Sequence, residues 1–196
     1  MFENEKVDMR IKYTREWTFE ALYQLMNLKP FYDIRISEII DKAGISRATF
    51  YRNFSSKEDI IKIKVQSMFS NFNMHMLDYY KTNQPDDERV VISEFFKRVD
   101  QEEKLIDTVI KANLEYVMIE GILELINYYK DSFYSLVKTN KKTQEYIMDM
   151  VASSAWTLLS RWHKTGKEES PGRLAKIYLG AFRSVYIALF DDKSKL

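Results

Sequence analysis

No cysteine occurs among the 196 residues, so neither a disulfide nor a thiolate metal site can be built. Glycine and proline are scarce, at five and three, which leaves few residues to punctuate turns and favours long helices over many short strands. Two histidines, His75 and His163, stand far apart, without the i,i+4 pair or cysteine partners that metal sites prefer, so no metal is expected. Ser153 and Ser154 have His163 nearby in sequence, yet no G-x-S-x-G elbow or Gly-rich phosphate loop accompanies them. Catalysis is therefore not expected, and no cofactor is implied. No apolar run approaches the ~18 residues of a membrane span, and Met1 to Lys12 is charged where a signal peptide needs an apolar stretch. The expected compartment is the cytoplasm.

A strong charge of one sign is also missing. Residues 1–64 carry 12 Lys+Arg against 10 Asp+Glu, and the remainder 18 against 19. A non-specific polyanion binder is far more basic, so any anion contact must come from local placement of Arg47, Arg52 and Lys57, with Glu16, Glu20 and Asp41 turned elsewhere. With 45% apolar and 30% charged residues, the chain can fold around an ordinary core and shows no sign of disorder.

The most informative stretch is Ile36 to Glu58, ISEIIDKAGISRATFYRNFSSKE. Ile36, Ile39, Ile40 and Ala43 recur at the helical period, and Ser37 is placed to cap that first helix. Gly44 supplies a left-handed stop, Ile45 returns to the core, and Ser46 caps a second helix over Arg47 to Asn53. Two short helices around a tight turn make a helix-turn-helix, which implies DNA.

This segment resembles the DNA-binding region of the TetR family of bacterial transcriptional regulators. The matching residues are Ala43, Gly44, Ser46, Thr49, Phe50, Tyr51, Phe54, Ser56, Lys57 and Glu58. Upstream, Tyr13-Thr14 opens a helix through Trp17, Ala21, Leu22, Leu25 and Met26, followed by Lys29-Pro30-Phe31 and Ile34-Arg35-Ile36. The resemblance implies an all-α fold: an N-terminal three-helix helix-turn-helix DNA-binding domain over residues 1–56, and a C-terminal helical effector-binding and dimerisation domain over 57–196.

In a helix-turn-helix the second helix enters the major groove with its first turn toward base edges. Arg47, Ala48 and Thr49 occupy that turn. Arg47 suits a bidentate pair with guanine, and Ala48 or the Thr49 methyl suits a thymine methyl; Arg47 also suits a phosphate. Ser37, Ser46 and Lys57 sit at expected helix N-termini, where free N–H groups and the dipole favour phosphate. Tyr51 and Thr14 match family positions that reach the backbone. Arg52 joins this face, and Phe50 and Phe54 are expected to point inward toward Trp17, Leu22 and Ile39. Ala48, Asn53 and Arg35 depart from the commonest family residues, Gly, His and Thr, so an operator sequence cannot be borrowed from relatives.

Beyond the motif, Ser56 caps a long helix from Lys57 to about Tyr80, and Thr82 to Asp87 reads as a loop around Pro85. Further helices are expected from Glu88 to Asp100, Glu103 to Ala112, Leu114 to Lys138, Lys142 to Thr165 and Pro171 to Phe190. The body is dense in aromatics and methionine, which can line an apolar effector pocket or simply fill a core. Phe69, Phe72, Met76, Phe95, Met118, Ile122, Tyr129, Phe133 and Trp156 are the candidate lining.

The last helix is apolar nearly all round, so one buried stripe does not account for it. The resemblance implies a homodimer through the last two helices, with Ser153, Trp156, Ser160, Ile177, Ala181 and Val185 at the contact. Trp162-His163-Lys164-Thr165-Gly166 followed by Ser170-Pro171 is similar to a subgroup with short C-terminal domains, the dihydroxyacetone-kinase regulator type. The expected function is a dimeric repressor that binds a pseudo-palindromic duplex operator and is released by a small, largely apolar effector. The alternative is a co-activator or architectural DNA-binding protein governed by a protein partner.

Overall fold

The computed structural model describes residues 2–83, 88–129 and 139–186, and among these it holds nine α-helices and no strand. In chain order they are α1 (Phe2–Met26), α2 (Ile36–Ala43), α3 (Arg47–Asn53), α4 (Lys57–Asn83), α5 (Glu88–Gln101), α6 (Glu103–Ala112), α7 (Glu115–Tyr128), α8 (Lys141–Lys164) and α9 (Pro171–Tyr186). The expected helix ends at Lys138 and Phe190, the loop residue Pro85, and Phe133 lie outside the described residues. Two compact units form: residues 1–70 with 104–122, and 71–103 with 123–196. The chain passes between them within α4, within α7 and at the α5–α6 joint.

The first unit is organised around the motif. Leu22, Ile39, Phe50, Ile60 and Ile61 are at most 1% exposed, and burying each such side chain stabilises by roughly 1.5–3 kcal/mol. Trp17, expected in this core, is 60% exposed. The inward face of α1 instead runs through Thr18, Ala21, Leu22 and Leu25, and Trp17 sits about 100° round the helix from Thr18. Buried Thr18 satisfies its hydroxyl on the Thr14 carbonyl at 2.7 Å. Thr14 is therefore inside a helix that starts at Phe2, not at a helix opening.

Ser37 does not cap α2, because the helix begins one residue earlier with Arg35 as N-cap. The reciprocal bond comes from Glu38, whose carboxylate accepts the Arg35 N–H at 2.9 Å and is paired with Lys29 at 2.7 Å. Gly44 closes α2 at φ 65°, with the Ile45 N–H reaching back to the Ile40 carbonyl at 3.2 Å. Ser46 caps α3 as expected, accepting the Thr49 N–H at 3.1 Å. At α4, Ser56 accepts the Asp59 N–H at 3.2 Å, while Asp59 accepts those of Ser55 and Ser56 at 2.8 and 3.2 Å.

Helix α6 packs in this same unit. Lys104 pairs with Glu20 at 2.7 Å, Lys111 donates to the Asn27 side chain at 3.3 Å, and Asn113 donates to the Tyr32 hydroxyl at 3.2 Å. Asn113 takes a left-handed conformation, φ 54°, that ends α6. Gly121 on α7 lies flat against the Phe69 ring, leaving no room for a Cβ.

In the second unit α5 and α9 pack together with α8. Phe96 is fully buried and meets Tyr178 edge-on at 6.0 Å. The Tyr178 hydroxyl donates to the Val151 carbonyl of α8 at 2.6 Å. Gly166 and Lys167 are both left-handed, at φ 81° and 58°. They bring the Lys167 ammonium to Asp100 at 3.0 Å and above the Trp162 ring at 5.8 Å.

Candidate nucleic-acid interface

The interface is built on α2, the Gly44 turn and α3. Burial of Ile39, Ile40, Phe50 and Phe54 fixes which way the remaining residues point. Arg47, Ala48, Tyr51 and Arg52 are exposed on α3, Thr49 and Asn53 are half-buried, and Arg35 and Ser37 are exposed at the start of α2. The Arg47 guanidinium lies over the Tyr51 ring at 5.8 Å, so the ring holds the arginine extended while both remain accessible. Thr49 shares a 2.9 Å hydroxyl contact with Ser46, and Asn53 donates to the Thr49 carbonyl at 2.9 Å. These two polar groups are already engaged within the helix. Arg35, Ser37 and Arg47 meet around a concavity of ≈ 630 Å³, which Ile36, Ile40 and Asp41 complete.

Lys57 behaves differently from the others. Its ammonium donates to the carbonyls of Phe31, Tyr32 and Ile34 at 2.8, 3.0 and 3.0 Å and lies 4.7 Å from the Phe31 ring. All three donors are used to hold the turn that leads into α2. No local sequence signal reveals this role, because the bonds span more than twenty residues. Asp41 was likewise not expected at the rim between two arginines.

Charge is sorted by these contacts. Lys29, Lys64, Lys104 and Lys111 are paired with Glu38, Glu16, Glu20 and Asp107. The Lys29 bond, then the Arg35 N–H, holds Glu38 below its ordinary carboxylate value, and the Lys104 bond does the same for Glu20. Among the described residues Arg35, Arg47 and Arg52 form no salt bridge, although the Arg35 charge also helps hold Glu38 low, so the motif presents exposed cations while the unit as a whole is nearly neutral. That is a helix-turn-helix DNA-binding face.

Comparison with known proteins agrees. Residues 19–62 match the family model of bacterial regulatory proteins, tetR family. An uncharacterized HTH-type transcriptional regulator, YxbF of Bacillus subtilis (strain 168), is 34% identical over 76 residues, a stretch that is 38% of this chain and 20% of that protein. The chain thus spans about a fifth of that curated relative. Among solved structures, Lin0861 from Listeria innocua superposes with a TM-score of 0.72 at 16% identity, covering 90% of this chain and 93% of that one. The dihydroxyacetone kinase operon activator DhaS superposes at 0.57 with 18% identity, covering 88% and 95%. Residues 19–62 thus match the DNA-binding segment of the bacterial regulatory proteins of the tetR family, and the fold of the chain is the one these solved structures share.

The candidate effector residues are divided between the two units. Phe69, Met118 and Ile122 belong to the first unit, and Phe72, Met76, Phe95, Tyr129 and Trp156 to the second. All but half-buried Tyr129 are at most 8% exposed. Phe133 lies outside the described residues. Of the candidate dimer residues, Ser153, Ile177 and Ala181 are exposed and Ser160 is half-buried, while the Val185 side chain lies outside the described set. Trp156 is 4% exposed, in line with Ala152, Ala155 and Leu159 on the inner side of α8, and so belongs to the protomer core.

Proposed function

We propose that this chain is a dimeric, effector-responsive regulator, most simply a repressor, that binds a pseudo-palindromic duplex through α3. The single observation that carries the reading is the Ser46-capped helix, which offers Arg47, Ala48 and Tyr51 beside exposed Arg35 and Arg52. The two-fold arrangement comes from homodimers being typical of the family. It is supported by the exposed side of α8 and α9, where Tyr146, Met150 and Ile177 are 58, 58 and 41% exposed beside small Ser153 and Ala181. Two recognition helices about one turn of DNA apart then require inverted half-sites. The proposed compartment is the cytoplasm, where the operator is; among the described residues no helix is long and apolar enough to cross a membrane.

Effector response rests on α4, one 27-residue helix running from the motif into the second unit. An effector that binds one state of the body better need shift operator affinity only 5- to 150-fold, about 1–3 kcal/mol. A co-activator role is the second reading, favoured by the likeness to DhaS, an operon activator. In-vitro selection from a random duplex pool tests the proposal. An inverted repeat should be enriched, and Arg47→Ala should weaken that site by about 1–3 kcal/mol while relaxing one position of it. Enrichment of no repeat by a folded chain would refute it.

A further inference from the structure

Two acids lie on α2, and the fold treats them differently. Glu38 is occupied, since its carboxylate accepts the Lys29 ammonium at 2.8 Å and the Arg35 N–H at 2.9 Å. Asp41 is exposed, and among the described residues its carboxylate enters no salt bridge and no hydrogen bond. It caps no helix there, and in the last turn of α2 (Ile36–Ala43) a negative side chain opposes the helix dipole. Its surroundings are those of the DNA face. Ser37 and Asp41 stand four residues apart on one side of α2. Arg35 is the N-cap of that helix and Arg47 the first residue of α3. All four border the concavity of ≈ 630 Å³, together with Ile36 and Ile40. An acid set among arginines on a surface that meets a polyanion works against binding, and it supports nothing else in the unit.

We infer that Asp41 sets DNA selectivity by charge: it keeps phosphates out of the space between Arg35 and Arg47, and so weakens the hold on arbitrary duplex more than on the cognate site. The inference rests on the DNA-binding reading of α3 and adds to it. On an arbitrary duplex the exposed arginines settle on phosphates, and a phosphate that bridges Arg35 and Arg47 across this concavity lies beside the carboxylate. On a cognate half-site Arg47 turns its fork to a guanine edge. No phosphate then has to sit between the two arginines, and the repulsion is smaller. Selectivity gained in this way comes from a penalty on the wrong duplex rather than from a new contact with the right one.

The full chain and its variants are titrated, at several salt concentrations, with a random-sequence duplex and with a duplex recovered by selection. Asp41→Asn should bind the random duplex about three- to tenfold more tightly, the effect of removing one like charge a few ångströms from a phosphate. The selected duplex should gain less, so the ratio of the two affinities falls. On the random duplex the slope of log affinity against log salt should steepen by up to about 0.9, the value for one more neutralised phosphate. Asp41→Glu, which keeps the charge, should keep the wild-type ratio. Asp78→Asn makes the same change of net charge in the second unit and should move neither affinity. Equal gains on both duplexes overturn the inference, as does no gain on the random duplex in a variant that melts like the wild type. So does a gain of the same size from Asp78→Asn, or a ratio for Asp41→Glu as low as that for Asp41→Asn. Weaker binding of Asp41→Asn to the selected duplex would make Asp41 an acceptor for a base, and overturns it too. A wild-type chain that selects a repeat while Asp41→Asn leaves the ratio unchanged sinks the role of Asp41 alone; one that selects no site sinks the motif reading as well.

Discussion

Tyr178 is the residue whose removal should be most legible in solution. Its ring lies between α5 and α8, 8% exposed, and its hydroxyl donates to the Val151 carbonyl at 2.6 Å. Burial pushes the phenol up from its ordinary 10.0 to about 12, and a hydrogen bond with Ser154 opposes only part of that rise. With the folded value above the unfolded one, the contribution is complete below pH ~10 and is lost as pH climbs through ~12. Over that window the unfolded chain has released a proton that the folded chain keeps. Two units at about 1.36 kcal/mol each amount to roughly 2–3 kcal/mol. Tyr178→Phe should cost about 1 kcal/mol near neutrality through the missing hydrogen bond. It should also remove this share of the alkaline decline, so the two stability curves converge or cross as pH rises. Denaturant unfolding of both chains at several pH values from ~8 to ~12 measures the difference, in which other lysines and tyrosines cancel. Parallel curves across the window would refute the idea that this phenol is desolvated between the helices.

Other substitutions separate roles that look alike in sequence. Lys57→Met should lower stability by about 1.5–3 kcal/mol, the range for a hydrogen bond to a charged group, whereas Arg47→Ala should leave the melting temperature unchanged and alter only operator binding; equal melting losses would contradict the assignment. Gly121→Ala gains about 1 kcal/mol of helix propensity but forces a methyl into the Phe69 ring, and overpacking costs about 1–3 kcal/mol. A net loss is expected, relieved by Phe69→Leu, and a stabilised single variant would contradict the close approach. Ile177→Asp should shift sedimentation toward monomer with little change in unfolding at high dilution, and an unaltered dimer would place the contact elsewhere.

Much of the fold is readable because its signals are local. Gly44, Ser46, Ser56 and Ser170-Pro171 each mark a helix boundary by the backbone groups they satisfy, and Glu103–Ala112 appears with the bounds its periodicity implies. The sequence misleads where a distant partner replaces a local cue. Ser37 looks like a cap because serine usually is one, yet Glu38 does that work with Lys29 holding it in place. Trp17 looks like core because it is large and apolar, but the register of α1 gives the inward position to Thr18, whose hydroxyl is satisfied within the helix. Lys57 looks like a phosphate clamp because helix starts attract anions, while its true acceptors are carbonyls more than twenty residues earlier.

The same side chains explain how a nearly neutral chain can recognise a polyanion. Lysines carry most of the internal ties: Lys29, Lys57, Lys64, Lys104 and Lys111 each hold a carboxylate or a set of carbonyls. Arginines dominate the free set on the motif, at Arg35, Arg47 and Arg52. The division suits each side chain. An ammonium gathers several acceptors converging on one point, while a guanidinium presents a flat fork to a guanine edge or a phosphate. Since the internal pairs cancel much of the long-range field, little attraction for arbitrary DNA remains. Discrimination must then come from the few contacts α3 makes, and binding should fall off sharply when the half-site changes.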